Sequence, residues 1–269
     1  MKHFVLILAM SCQTAKAEIL GAGPFAVYNQ AYQENTAADT VPGILAQANS
    51  AYVLLDPFDE AANDWGGIIF ALHAHGNAVG AYISIGTGEV WRSDFNDLRP
   101  FLAVEPWNDW AGEYFVSSTS GALPIMLTRI DKIAALGFDW VEFDNMDFAF
   151  DPGTRTRYGV ATTKSESVDY YQKLCAYAHE KGLRCMAKNV TVGAESFDGV
   201  VYESYSADKS WWDQDGGIAF AKAGKPVIIV HYDETDCEKV LVDYRAIYGP
   251  TMSFICEDAN QKRYMHFND

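Results

Sequence analysis

A chain of 269 residues, 49% of them hydrophobic, can bury a full core, and about 250 residues is an ordinary size for one α/β barrel domain. Its formal net charge of −16 argues against nucleic acid and anionic membrane surfaces as partners and would attract a polycation. The absence of a CxxC pair, a Cys/His ladder and an HExxH segment leaves a metal site without support, and no cofactor is expected.

Lys2 and His3, an apolar run over residues 4–10 and then Ala15-Lys16-Ala17 have the layout of a secretory signal peptide. Cleavage before Glu18 is expected to remove residues 1–17 and leave one domain over 18–269, secreted or periplasmic and monomeric. Ser11-Cys12 is a poor match to a lipoprotein processing site, so an anchor at Cys12 is disfavoured. No later segment approaches about 18 uninterrupted apolar residues, so no membrane span is expected. In an exported protein Cys175, Cys185, Cys237 and Cys256 could form two disulfides, with three pairings open. The neighbours 175/185 and 237/256 are favoured because each would link a helix to the next strand.

Eight apolar runs follow, over residues 25–29, 52–56, 78–86, 140–145, 184–189, 199–203, 226–232 and 252–258. Helical spacing of apolar residues marks 123–136, 163–181, 216–223 and 234–248 between them. Alternating strands and helices suit a parallel sheet, and eight strands suggest closure into a (β/α)8 TIM barrel, with a doubly wound open sheet as runner-up. Residues 87–122 and 148–162 are expected to form long loops after strands 3 and 4, on the face where barrels hold their sites.

The segment Trp140-Val141-Glu142-Phe143-Asp144-Asn145-Met146-Asp147 runs a buried strand into acids. Strand alternation puts Trp140, Glu142 and Asp144 on one side, and burying such carboxylates costs several kcal/mol unless cations or a cleft receive them. The other strand ends are polar too: Tyr28, Asp56, Ser84 to Glu89, Lys188-Asn189, Glu203-Ser204-Tyr205 and His231-Tyr232. On a common rim they make candidate groove residues of Tyr28, Asp56, Tyr82, Ser84, Glu89 and Trp91. Glu142, Asn145, Asp147, Lys188, Asn189, Tyr205, His231 and Tyr232 are added on the same ground.

Acid/base chemistry needs one ionised and one protonated carboxyl group across a bond. Asp144, kept ionised by Lys188, and Glu203, raised by burial beside Tyr202 and Tyr205, fit those two roles. Trp91, Trp211 and Trp212 offer flat faces that suit sugar rings.

Four ordered blocks make the chain resemble glycoside hydrolase family 114, the endo-α-1,4-polygalactosaminidase-like barrels. They are Tyr82 to Thr87 with Glu89 to Asp94, Arg129 to Asp147, Ala178 to Leu183 with Lys188-Asn189, and Gly224 to Val227. The resemblance implies that Asp144 is the nucleophile-side carboxylate and Glu203 the general acid/base. It also implies that Tyr82, Asp147, Lys188 and Asn189 line the groove, and that the substrate is a polycationic amino-sugar polysaccharide. The chain departs from the family at Phe148, at Ser204 to Ser206 and at His231. A noncatalytic carbohydrate-binding barrel that has kept the groove is the alternative.

Overall fold

The computed structural model describes residues 20–31, 40–58, 64–205, 209–234, 236–258 and 263–266. The expected signal peptide, Cys12 and the Tyr205 side chain lie outside what is described. The elements run β1 (Val27–Asn29), α1 (Val41–Gln47), β2 (Tyr52–Leu55), α2 (Trp65–Ala74), β3 (Ala78–Ser84), β4 (Thr87–Glu89), α3 (Phe95–Leu98), β5 (Glu113–Phe115) and α4 (Thr119–Leu136). They continue through β6 (Trp140–Asp144), α5 (Pro152–Arg157), α6 (Lys164–Glu180), β7 (Arg184–Lys188), β8 (Gly199–Tyr205), α7 (Gln214–Lys222), β9 (Val227–Glu234), α8 (Cys237–Tyr248), β10 (Ser253–Asp258) and β11 (Arg263–His266).

All eight expected strands are present, and they pair in parallel in the order β1-β2-β3-β6-β7-β8-β9-β10. A parallel bridge between Ala26 and Phe254 joins the last strand to the first, which makes a nearly closed (β/α)8 barrel and excludes the doubly wound order. β11 was not foreseen. It pairs antiparallel with β10 from Ile255 to Asp258, on the edge that a longer β1 would have covered.

Local chemistry sets the helix ends. Thr163 and Glu166 form a reciprocal capping box at the start of α6, and Gly137, with φ 92°, ends α4 in the left-handed region. α4 begins at Thr119, four residues earlier than the periodicity suggests, and carries Pro124 as its sixth residue, which forgoes the backbone bond an N–H there would make to the Ser120 carbonyl.

Apolar side chains form an inner cluster within the barrel, including Val27, Leu54, Trp140, Met186 and Ile255, and an outer one between sheet and helices. Trp140 fills the interior across from Gly80, where a Cβ would lie 2.1 Å from the indole ring. The favoured cysteine pairs are disulfides: Cys175–Cys185 joins α6 to β7, and Cys237–Cys256 joins α8 to β10. No helix among the described residues is long and apolar enough to cross a membrane.

Candidate active site

At the carboxyl ends of the strands a groove of about 1100 Å³ opens, and its floor is charged. β6, β7 and β8 are neighbours, so their inward positions Glu142, Asp144, Lys188 and Glu203 converge. The Lys188 ammonium nitrogen lies 3.1 Å from Asp144 Oδ1, 3.1 Å from Glu203 Oε2 and 3.8 Å from Glu142 Oε1. Lys188 and Glu142 are fully buried, whereas the Asp144 and Glu203 side chains keep 14% and 17% exposure and face the groove. The nearest oxygens of the catalytic candidates are therefore within two lysine contact lengths of each other.

Three donors serve Asp144. Besides Lys188, the Tyr82 hydroxyl donates to Oδ2 at 3.1 Å and Asn145 Nδ2 donates to the same oxygen at 3.3 Å. Such a set suits an acceptor-only, ionised carboxylate. Burial disfavours the Lys188 charge, but Asp144, Glu142 and Glu203 together raise its pKa above that of a free lysine. Burial raises the Glu203 pKa against the pull of Lys188, and nearby Asp144 adds to the rise. Glu142 is pushed up to about 8 by burial, which outweighs Lys188, and Asp147 up to about 7 by burial and then by Asp144.

Two asparagines turn the chain at this floor. Asn145 and Asn189 follow the last residues of β6 and β7 with φ of 61° and 59°, a region that asparagine tolerates better than most residues. Asn189 Oδ1 accepts the Glu203 N–H at 2.9 Å and so fixes the backbone that carries the second carboxylate. The Glu203 carbonyl in turn accepts the indole N–H groups of Trp211 and Trp212, both on the groove wall.

The expected residues Asp56, Tyr82, Glu89, Trp91, Asp144, Asn145, Asp147, Asn189 and Glu203 all line the groove. Asp56 and Glu89 are not free to take a ligand, because both grip Arg92. The guanidinium meets Asp56 at 2.7 and 2.8 Å and Glu89 at 2.8 and 2.9 Å, and it stands 5.8 Å from the centre of the Tyr82 ring. Arg92 thereby steadies the tyrosine that holds Asp144. Ser84 is buried behind the wall, where it accepts from Asn145 Nδ2 at 2.9 Å.

Several expectations are corrected. Tyr28 packs in the outer cluster. His231 also points outward, its Nδ1 2.8 Å from the Tyr244 hydroxyl of α8. Neither lines the groove, because strand alternation gives the inward places beside them to Asn29 and Tyr232. Tyr232 does face inward, but it is packed in the barrel's apolar cluster rather than on the wall. Tyr202 is not beside the Glu203 carboxyl either: its ring lies 4.8 Å from Trp212 and 5.7 Å from Tyr248, on the helix side of β8.

Arg92, Glu113, and Trp107 and Trp110 on the loop between α3 and β5 also line the groove, beyond the residues expected there. Two acids at strand ends, Asp56 after β2 and Glu89 at the end of β4, call for a cation, and that signal could have found Arg92 three residues beyond Glu89. Glu113 carried no signal in the sequence.

A (β/α)8 barrel that holds a carboxylate pair on one ammonium at its carboxyl rim, beneath an aromatic-walled groove, is the construction of a barrel glycosidase. The chain belongs to the glycoside-hydrolase family GH114, whose model matches residues 26–267. It is similar in structure to Aspergillus fumigatus Ega3, crystallised in complex with galactosamine, with a TM-score of 0.66 and 20% identity over 94% of this chain and 97% of that one. The glycoside hydrolase domain of PelA from Pseudomonas aeruginosa gives a TM-score of 0.62 at 15% identity, over 89% of this chain and 96% of that one. In sequence the chain is 30% identical over 100 residues to an uncharacterized protein of Deinococcus radiodurans; the match spans 35% of this chain and 32% of that protein.

Proposed function

We propose that this protein is an exported, monomeric enzyme that cleaves α-1,4-linked galactosamine-type polysaccharide within the chain. The observation that carries the reading is the placing of Asp144 and Glu203 at 3.1 Å from one buried ammonium, at the floor of an open groove. Glu203, with its raised pKa, gives its proton to the glycosidic oxygen. Asp144 Oδ attacks the anomeric carbon as that bond breaks, and negative charge passes from Asp144 to Glu203. Lys188 touches both, so its cation serves whichever carboxylate is charged and need not move. Water, deprotonated by Glu203, then releases the sugar from Asp144. The close approach of the two groups favours this two-step, retaining course, for which a separation of about 5–5.5 Å is usual.

An amino-sugar substrate is supported by the groove's charge: among the described residues nine acidic ones line it against two basic ones. The galactosamine present with the Aspergillus structure agrees in chemistry. Trp91, Trp107, Trp110 and Trp211 provide faces for sugar rings along the groove.

A reducing-end assay on galactosamine polymers tests the proposal. Wild type releases reducing ends, whereas Asp144→Asn and Glu203→Gln each lose at least about 10³-fold in kcat while unfolding near the wild-type temperature. Turnover retained by either variant would refute the assignment. Polymer binding by wild type with no reducing ends released would make the protein a carbohydrate-binding barrel instead.

A further inference from the structure

At the amino end of β7, the opposite end of the barrel from the groove, four groups able to ligate a metal meet. Cys185 is the second residue of β7, Cys175 and His179 lie one turn apart on α6, and Asp198 stands just before β8. Residues four apart share a helix face, so Cys175 and His179 turn toward the strand together. His179 Nε2 lies 3.8 Å from Cys175 Sγ, 3.7 Å from Cys185 Sγ and 2.7 Å from Asp198 Oδ2. The two sulfurs and the imidazole nitrogen all fall within 4.8 Å of one another. The reaction proposed for the groove uses none of them.

These spacings suit a tetrahedral ion. With Zn–S bonds of about 2.3 Å and Zn–N bonds of about 2.0–2.1 Å, sulfur and nitrogen ligands sit about 3.6 Å apart and two sulfurs about 3.8 Å. Both sulfur–nitrogen distances are already near the first value, and the sulfurs are free to separate once the bond between them is broken. Asp198 Oδ2 takes the fourth place by exchanging its hydrogen bond to Nε2 for a bond to the metal. Its carboxylate is held from outside, by the Cys185 N–H at 2.9 Å and by Arg184 at 3.2 Å. Zn2+ with two thiolates and a carboxylate carries one net negative charge, which the Arg184 guanidinium offsets. The cysteines are buried, whereas the side chains of His179 and Asp198 are 36% and 19% exposed and leave a way in from solvent.

We propose that the reduced chain binds Zn2+ through Cys175, His179, Cys185 and Asp198, as the alternative to the Cys175–Cys185 disulfide. The proposal is independent of the reading of Asp144 and Glu203. A thiol reductant opens the disulfide by exchange: two reductant thiols become a disulfide, and their protons pass to the two protein sulfurs. Zn2+ then takes the place of those two protons, which go to solvent. In the reverse direction a disulfide oxidant accepts two electrons from the thiolates, the S–S bond forms again, and Zn2+ leaves unchanged. α6 stays tied to β7 in both states, by a covalent bond in one and through the metal in the other.

The test is titration of the whole chain with Zn2+ and with Co2+, oxidised and after anaerobic reduction by a phosphine, which leaves no competing thiol. Cys237→Ser/Cys256→Ser removes the other cysteine pair, and that variant, once reduced, still takes up Zn2+ as tightly as wild type. Cys175→Ser/Cys185→Ser loses at least about 100-fold in affinity and His179→Ala at least about 10-fold, since even groups behind the ligands are worth 10- to 100-fold. Co2+ in the reduced chain gives the intense visible bands of a four-coordinate, sulfur-ligated ion, and Zn2+ displaces it. Zn2+ raises the unfolding temperature of the reduced chain and leaves that of the oxidised chain unchanged. Binding of Zn2+ no tighter than in Cys175→Ser/Cys185→Ser, an unaltered affinity in His179→Ala, or equal binding by the oxidised chain overturns the proposal. So does a reduced chain that unfolds and is not restored by Zn2+.

Discussion

Lys188 shows why a single side chain can be decisive at this site. It is fully buried with three carboxyl groups around it, so removing it leaves whichever of them is ionised without compensation. Lys188→Met should lower stability at neutral pH by about 3–5 kcal/mol, the usual cost of breaking a buried ion pair, and abolish polymer hydrolysis. The deficit shrinks toward pH 5, where the raised carboxyls of Glu142 and Glu203 are increasingly protonated and no longer need the cation. Denaturant unfolding of both proteins at pH 5 and pH 8 checks this. A deficit independent of pH would show that Lys188 contributes packing alone. The acids themselves were legible in the sequence because buried charge is costly and therefore conspicuous. Arg92 was less so, since its role depends on Asp56 and Glu89 meeting from separate strands.

At the scale of elements, the disulfides fasten the outer helices to the barrel. Cys237–Cys256 closes a loop of 19 residues between α8 and β10, the strand that meets β1 through one bridge. Chain-entropy reasoning gives about 3 kcal/mol for a loop of this size. Replacing both cysteines by alanine should lower the unfolding free energy by about that amount, measured by denaturant titration, with hydrolysis by the remaining folded enzyme unchanged. A variant as stable as wild type would mean that the closing strands need no covalent support. The hairpin β4–β5 is an element that periodicity could not disclose. Each of its strands has three residues, too few for an alternation pattern, and its register is fixed by packing of Phe115 against Trp107 and Phe148 at 4.9 and 5.0 Å.

For the molecule as a whole, the raised carboxyls set a pH dependence. Glu142 and Glu113 titrate at about 8 and Asp147 at about 7, against ordinary values of 4.5 and 3.8. The folded state therefore binds more protons than the unfolded state across that window, and stability falls as pH rises through it. The unfolding temperature should drop by at least about 5 °C between pH 5 and pH 8.5, and Glu142→Gln should flatten the curve. A flat wild-type profile would contradict the burial of these acids in neutral form. The net charge of −16 acts in the same direction, because self-repulsion grows as further acids ionise.

The sequence by itself determined the eight strands, their parallel arrangement, the acids at their ends and the family likeness. Local hydrophobic pattern and the cost of buried charge are properties of the chain, readable before it folds. Only the tertiary structure decided which rim residues share the groove. His231 and Tyr28 have the same chemistry as the groove residues and the same place at a strand end, but strand alternation turns them toward the helices. The meeting of Asp144 and Glu203 on one lysine, and of Glu113 with Asn145 through two hydroxyls, likewise depends on closure of the barrel. Those contacts join residues far apart in sequence, and strand register and sheet curvature place them, neither of which any short stretch of sequence contains.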